Sequence, residues 1–258
     1  MAIMKFSFLV LTWNRPGMLA RCLDKLVPAI ADPENCEIIV MDNASTDSTR
    51  ELLESYSGNP LIKTVFLEKD RGLNAYKELF RLAQGEYMVT VDDDVIEFPP
   101  QLDRIFSEYM ELFPDYGYLS LNVIQNEFTN GAKPEPERYS EVTREGRVVQ
   151  EGPAGGWCAC FRRREYEKIR FRLKFFPLSM KHPEDGFLVR NLRMKLRLKC
   201  GIIRDAVCFH ACGPHYAKEF GNLDREISKY SRSGLDSLVK QYEKVRSTEV
   251  SGGPSHSK

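Results

Sequence analysis

Three aspartates in a row, Asp92-Asp93-Asp94, close the apolar run from Glu86 to Val91. Adjacent carboxylates repel one another, so a folded chain keeps three together only where something compensates their charge. A hard divalent cation such as Mg²⁺ or Mn²⁺ would do so, because it prefers oxygen ligands and bridges to phosphate. Side chains alternate along an extended segment, which turns Asp92 and Asp94 to the same side. A solvated acidic loop or a helix N-cap is the plainer reading of the same triplet. A second acidic pair, Glu184-Asp185, follows Pro183 and so falls at a helix start. There it either compensates the helix dipole or supplies a general base. His210 ends a short apolar run. It reads as a satisfied core residue or, with Cys208, Cys212 and His215, as part of a zinc set. That last set lacks the Cys-x-x-Cys knuckle of structural zinc sites.

The elements that must position these groups follow from the hydrophobic pattern. Phe6 to Leu11, Glu37 to Met41, Leu61 to Leu67 and Glu86 to Val91 read as buried strands. Between them lie helical patterns: Leu19, Cys22 or Leu23, and Leu26 after Pro16; Leu52, Leu53 and Tyr56 after a Ser48–Glu51 capping box; and Leu73, Tyr76, Phe80 and Ala83 before Gly85. Leu102, Ile105, Phe106, Tyr109 and Phe113 mark a further helix. Such alternation predicts an α/β fold with a mostly parallel, Rossmann-like sheet flanked by helices. Ligands of such sheets bind beyond the carboxyl ends of the strands. Thr12-Trp13-Asn14, Asp42-Asn43 and Asp92 to Asp94 would therefore meet on one edge. The second half is less regular. It reads as a loop over 125–138, a hairpin around Glu145-Gly146, a strand from Trp157 to Phe161, a basic helix from Glu184 to Leu196, and one amphipathic C-terminal helix carrying Leu223, Ile227, Tyr230, Leu238 and Tyr242. Arg162-Arg163-Arg164 reads as a solvated helix start or a phosphate contact. The expected organisation is one domain over 1–246, with a nucleotide-binding half at 1–98, a smaller, irregular acceptor-side half at 99–220 and a helix at 221–246, then a disordered tail at 247–258.

Bulk properties exclude several classes. Lys plus Arg and Asp plus Glu both number 37, so no global field draws the chain to nucleic acid or to an anionic membrane. No stretch approaches the roughly 20 apolar residues of a membrane-spanning helix, and the opening run lacks the features of a secretory signal. Peripheral membrane contact stays open. Seven cysteines scattered from Cys22 to Cys212 predict reduced thiols and a cytoplasmic setting.

The segments FLVLTWNRPGMLARCL, EIIVMDNASTDSTRELLE, RGLNAYKELFRLAQGEYMVTVDDDV and HPEDGFLVRNL, in this order and spacing, resemble the successive signatures of glycosyltransferase family 2. The resemblance covers roughly residues 5 to 215. It implies the GT-A fold and inverting, metal-dependent transfer of a sugar from a nucleotide diphosphate donor to a hydroxyl acceptor, as in glycan or polysaccharide assembly. On the matching positions it implies that Asp94, with His210, holds the Mn²⁺ or Mg²⁺ ion and that Asp92 lies near the ribose or donor sugar. Asp93 is grouped with the donor contacts without a role of its own. Thr12 would line the nucleoside pocket with Asn14 and Arg15 close by, and Asp42 would lie at the base or ribose. Asn43 stands where many members carry a second acid, so uridine and thymidine donors both stay open. Arg71 could pair with a phosphate oxygen. Gly156 and Trp157 belong to the segment that resembles the family's donor-sugar and acceptor floor. The indole either stacks on a sugar or fills the core. Asp185 would be the general base, with Glu184 orienting the acceptor. Two rival readings are a sugar-1-phosphate nucleotidyltransferase and a non-catalytic sugar- or partner-binding module on the same scaffold. The first expects a glycine-rich basic loop after the first strand, and Thr12-Trp13-Asn14-Arg15 matches it poorly.

Overall fold

The computed structural model describes residues 4–129 and 133–247. The tail expected at 247–258 lies outside the described residues from 248 onward. The chain begins as predicted, with β1 (Phe6–Thr12), α1 (Pro16–Ala29), β2 (Cys36–Asp42), α2 (Thr49–Ser55), β3 (Ile62–Phe66), α3 (Tyr76–Leu82) and β4 (Tyr87–Asp92). It continues through β5 (Val95–Glu97), α4 (Leu102–Leu112), β6 (Tyr116–Val123), the hairpin β7 (Ser140–Arg144) and β8 (Arg147–Glu151), and β9 (Cys158–Arg162). Then come α5 (Arg163–Phe175), α6 (Glu184–Leu196), β10 (Lys199–His210), α7 (Pro214–Glu219), α8 (Leu223–Arg232) and α9 (Asp236–Ser247).

The strands form one sheet in the order β3-β2-β1-β4-β9-β6-β10-β8-β7, with β5 paired to β10. The β3-β2-β1-β4 block is parallel, and β9 runs antiparallel between β4 and β6. Both faces are covered, which explains why the strands read as unbroken apolar runs. Phe6, Phe8 and Val10 of β1 pack on one face with Leu19, Leu23 and Leu26 of α1 and Phe106 and Met110 of α4. Leu9 packs on the other with Leu79 and Phe80 of α3, Ile169 of α5 and Leu188 of α6. Gly85, between α3 and β4, is a steric requirement: a Cβ there would lie 2.5 Å from the backbone nitrogen of Ser7.

Three local expectations change. The Ser48–Glu51 capping box does not form. Ser48 has φ −73° and ψ 12° rather than the extended backbone of a capping residue, and its side chain caps nothing. The carboxylate of Asp47 accepts instead from the Thr49 amide at 3.0 Å. Arg162 is no solvated helix start. It ends β9 and is buried, donating to the carbonyls of Tyr116 at 2.7 Å and of Met110. The single C-terminal helix is two, α8 and α9, broken at Gly234, whose φ of +63° a helix interior cannot hold. Tyr230 and Tyr242, expected on one continuous face, meet across that break with ring centroids 5.2 Å apart.

Candidate active site

β1, β2 and β4 end at one level. Thr12 pairs with Asp42, and Leu11 with Asp92, in the parallel ladders. Beyond this edge opens a cavity of about 870 Å³ that reaches Asp92, Asp93 and Asp94, the start of α6, and the inner side of α8. Its size suits a ligand of nucleotide scale.

The aspartate triplet divides its work. Asp92 ends β4, and the next two residues turn into β5. β5 pairs with the end of β10, Val95 opposite His210, and the Ala211 amide donates to the Asp94 carbonyl at 2.8 Å. That pairing sets His210 Nε2 2.9 Å from Asp94 Oδ1 and 3.6 Å from Asp92 Oδ2. Asp93 has other partners. Its Oδ2 accepts from the Thr12 hydroxyl at 2.8 Å and its Oδ1 from Arg15 Nη1 at 2.6 Å. The same Arg15 nitrogen donates to Asp94 Oδ2 at 2.8 Å.

Arg15 is itself buried and also bonds Glu226, at 3.1 Å through Nε and 2.5 Å through Nη2. Glu226 sits on α8, 1% exposed, and accepts further from Arg225 and, at 2.7 Å, from Lys229. An ionic chain thus runs from the triplet through Arg15 to the C-terminal helices. Arg225, Lys229 and Arg232 lie at helical spacing on the α8 side that lines the cavity. Arg225 and Arg232 also stand over the Trp13 ring, 5.1 and 4.6 Å from its centroid. Neither the ionic chain nor the cationic face of α8 figured in the sequence reading, which followed only the apolar side of this helix. The spacing of 225, 229 and 232 is the signal that was there to find.

The electrostatics separate the carboxylates. Burial, with Asp94, Asp93 and Asp185 adding to it against the pull of His210, pushes Asp92 up to about 7. Burial also raises Asp94, but Arg15 and His210 outweigh it and hold that carboxyl well below its usual range. Burial alone would lower His210, and Asp94 raises it well above the ordinary imidazole value. Asp92, Asp94 and His210 offer two carboxylate oxygens and an imidazole nitrogen within 4.8 Å of one another. This donor set fits a hard divalent cation, and a cation there would relieve the charge that burial penalises at Asp92. Among the described residues no such grouping includes Cys208, Cys212 or His215. His215 lies on α7 and stacks instead on Phe128 at 4.2 Å.

Across the cavity, Pro183 starts α6 and Glu184 and Asp185 occupy its first turn. Asp185 Oδ2 accepts from the Gly156 amide at 3.0 Å and its Oδ1 from the Gly186 amide at 2.5 Å. Burial raises Asp185 above the ordinary carboxyl range, against the pull of those amides. Glu184 is buried with one oxygen unbonded, and burial, then Asp185 and Asp92, raise it well above its ordinary value. Gly156 admits Asp185 closely, since a Cβ there would stand 3.1 Å from Asp185 Cβ.

The remaining candidates divide. Asn43 lines the cavity and organises the loop after β3, donating to Asp70 at 2.8 Å and accepting from the Arg71 amide at 2.9 Å. Arg71 lines the cavity with an exposed side chain. Trp157 also touches the cavity, yet it is 4% exposed and donates its indole N–H to the Leu121 carbonyl at 2.9 Å. Its ring is thus largely in the core, with the His210 ring stacked 6.3 Å away. Asp42 and Asn14 are not on the cavity wall. Asp42 accepts from the Ser45 amide at 3.1 Å, and Asn14 accepts from the Thr46 amide at 2.7 Å. Asn14 thereby ties the β1 loop to the β2 loop, while Asp42 closes a turn within the β2 loop. Among the described residues, no helix is long and apolar enough to cross a membrane.

A nucleotide-sized cavity at the carboxyl edge of a mostly parallel sheet, with an acidic cluster at the end of β4, defines the GT-A class of fold. Solved structures agree. TarS 1–349 of S. aureus, described in complex with UDP-GlcNAc, superposes with a TM-score of 0.62 at 16% identity over 95% of this chain and 73% of that one. A mannosyltransferase of Pyrobaculum calidifontis, in complex with GDP-Man and Mn²⁺, superposes with a TM-score of 0.62 at 18% identity over 97% of this chain and 76% of that one. The model of glycosyl transferase family 2 matches residues 7–171, and the chain belongs to that family. Validoxylamine A glucosyltransferase of Streptomyces hygroscopicus subsp. limoneus is 30% identical over 145 residues, 53% of this chain and 30% of that protein. Poly(ribitol-phosphate) beta-glucosyltransferase of Bacillus spizizenii is 33% identical over 95 residues, 35% of this chain and 15% of that protein. The chain thus spans a third or less of either relative's length.

Proposed function

We propose that this chain transfers a sugar from a nucleotide diphosphate donor of the UDP or dTDP type to a hydroxyl acceptor, with inversion, in glycan or polysaccharide assembly in the cytoplasm. The observation that carries the reading is the pair of opposed acidic centres on one cavity: the Asp92–Asp94–His210 cluster on the sheet edge and Asp185 at the start of α6. An inverting transfer needs a carboxylate on the acceptor side and charge compensation on the leaving-group side. Asp185 is the proposed base. Its oxygens accept from the Gly156 and Gly186 amides, and burial raises its carboxyl above the ordinary range, a direction that favours taking up the acceptor's hydroxyl proton. Glu184, buried beside it with burial raising its carboxyl well above the ordinary value, is the residue proposed to orient the acceptor. Asp94 and His210, with Asp92 beside them, would hold a divalent cation whose charge neutralises the donor diphosphate. Arg225, Lys229 and Arg232 extend that positive side along α8. Trp13, Thr12, Asn43 and Arg71 form the proposed nucleoside and phosphate edge.

The test is a thermal-shift panel of UDP, dTDP and GDP, each with and without Mn²⁺, followed by transfer assays with the matching nucleotide sugars. A ligand bound only by the folded state raises the melting temperature. The proposal expects a metal-dependent rise with a pyrimidine nucleotide and release of nucleoside diphosphate on turnover. Chelation with EDTA should remove both. Pyrophosphate from a nucleoside triphosphate plus a sugar phosphate would instead identify a nucleotidyltransferase, and binding without turnover a non-catalytic module.

A further inference from the structure

Charge is unevenly spread along this neutral chain. Residues 163–199 hold twelve Lys and Arg against four Asp and Glu, leaving 25 against 33 elsewhere. Of the four acids only Glu167 is exposed on the outer surface, where it offsets part of the positive charge. Glu184 and Asp185 face the catalytic cavity, Glu165 is buried against Lys168 and Arg164, and Glu167 is paired with Arg170 and Arg163. The segment forms α5 and α6, which share one core cluster through Ile169, Leu173, Leu188 and Leu192. On the outward side stand the three most exposed large apolar side chains among the described residues: Phe171 at 71%, Phe175 at 68% and Met194 at 65%. Phe171 and Phe175 are one helical turn apart, with ring centroids at 5.1 Å. Arg172 and Lys174 on α5, Arg193 and Lys195 on α6, and Arg197 just after it are exposed as well.

We propose that the outer face of α5 and α6 docks on an anionic phospholipid bilayer, with Phe171 and Phe175 entering the interface and the surrounding cations meeting headgroup phosphates. Apolar side chains ringed by Lys and Arg on a helix surface are what such an interface selects, because each group meets its own solvent there. A second copy of the chain is disfavoured, since a face this positive would oppose itself across a two-fold axis. Nucleic acid would take the cations but offers no apolar phase to Met194. The geometry has a consequence for the acceptor, which rests on the proposed function. Asp185 begins α6, so docking that helix brings the base toward the bilayer and suits a hydroxyl acceptor carried on a lipid anchor.

The test is co-sedimentation of the full chain with vesicles of phosphatidylcholine plus phosphatidylglycerol, and of phosphatidylcholine alone. Binding should require phosphatidylglycerol and weaken as added salt screens the charges. Phe171→Ser with Phe175→Ser, and separately Arg172→Glu with Arg193→Glu, should each lower partitioning about tenfold or more. Circular dichroism melts should match the parent, and donor hydrolysis in vesicle-free solution should not change, which separates this test from that of the catalytic reading. Equal binding to both vesicle types, or binding indifferent to both double variants, would overturn the proposal. So would the absence of vesicle binding together with self-association or RNA binding that the Phe171→Ser/Phe175→Ser variant abolishes.

Discussion

Glu226→Gln tests whether the ionic chain between α8 and the aspartate triplet holds the fold together. The side chain is 1% exposed and serves Arg15, Arg225 and Lys229. The amide keeps the shape but removes the charge. Arg15 would retain Asp93 and Asp94, whereas Arg225 and Lys229 would lose their shared acid and repel each other. Breaking a fully buried pair costs about 3–5 kcal/mol. Arg225 and Lys229 have side chains 14% and 23% exposed, so partial solvation lowers the expectation to about 2–3 kcal/mol. An unfolding entropy of about 2.1 cal/mol/K per residue over 258 residues converts this to a melting temperature roughly 4–6 °C lower. The pH dependence has a definite sign. Burial raises Glu226, but Arg15, Lys229 and Arg225 overcome it and hold the folded carboxyl far below the ordinary 4.5. Its stabilisation is therefore complete above that value and is lost as pH falls below it toward the folded value. The gap between parent and variant should shrink by about 1.4 kcal/mol for each pH unit below 4.5. Denaturant unfolding of both proteins at neutral and acid pH measures this. Equal stabilities at neutral pH, or a gap that persists undiminished in acid, would refute the reasoning.

Asp185→Asn should cut transfer about 10²–10⁴-fold while leaving nucleotide binding and melting temperature near the parent's; retained turnover removes it as the base. Because burial raises Asp185, kcat/KM should fall with decreasing pH along a limb lying above 3.8, the ordinary value for an aspartate, as the base takes up its proton; a rate flat across that range counts against the assignment. Gly156→Ala places a methyl 3.1 Å from Asp185 Cβ and should lower kcat roughly three- to tenfold with little change in donor KM, as steady-state kinetics would show. Gly85→Ala drives a Cβ to 2.5 Å from backbone at Ser7 and should destabilise by about 2 kcal/mol or more in denaturant unfolding, with the activity of the remaining folded protein unaltered.

The amino-acid sequence by itself determined the first half of the molecule. Strand and helix periods are properties of a short window, so β1 to β4 and the helices between them could be read without knowing their neighbours. Asp92 to Asp94, Glu184-Asp185 and His210 were legible for a related reason: each stands where an element starts or ends, and strand ends of an α/β sheet converge by topology. The tertiary structure decided how those residues divide the work. Asp93 had no role until Arg15 and Thr12 were found against it. Of two residues expected at the donor, Asp42 bonds the nearby Ser45 amide, and Asn14 bonds the Thr46 amide, a partner that only the packing of two loops supplies. Trp157 met a carbonyl on β6, Arg162 met carbonyls on α4 and β6, and Gly234 split the last helix. The link from Arg15 to Glu226 spans 211 positions. No local pattern carries such a pairing, because a charge on a helix face looks the same whether water or a buried counter-ion awaits it. Burial gives the pairing its strength, and burial exists only once the chain has folded.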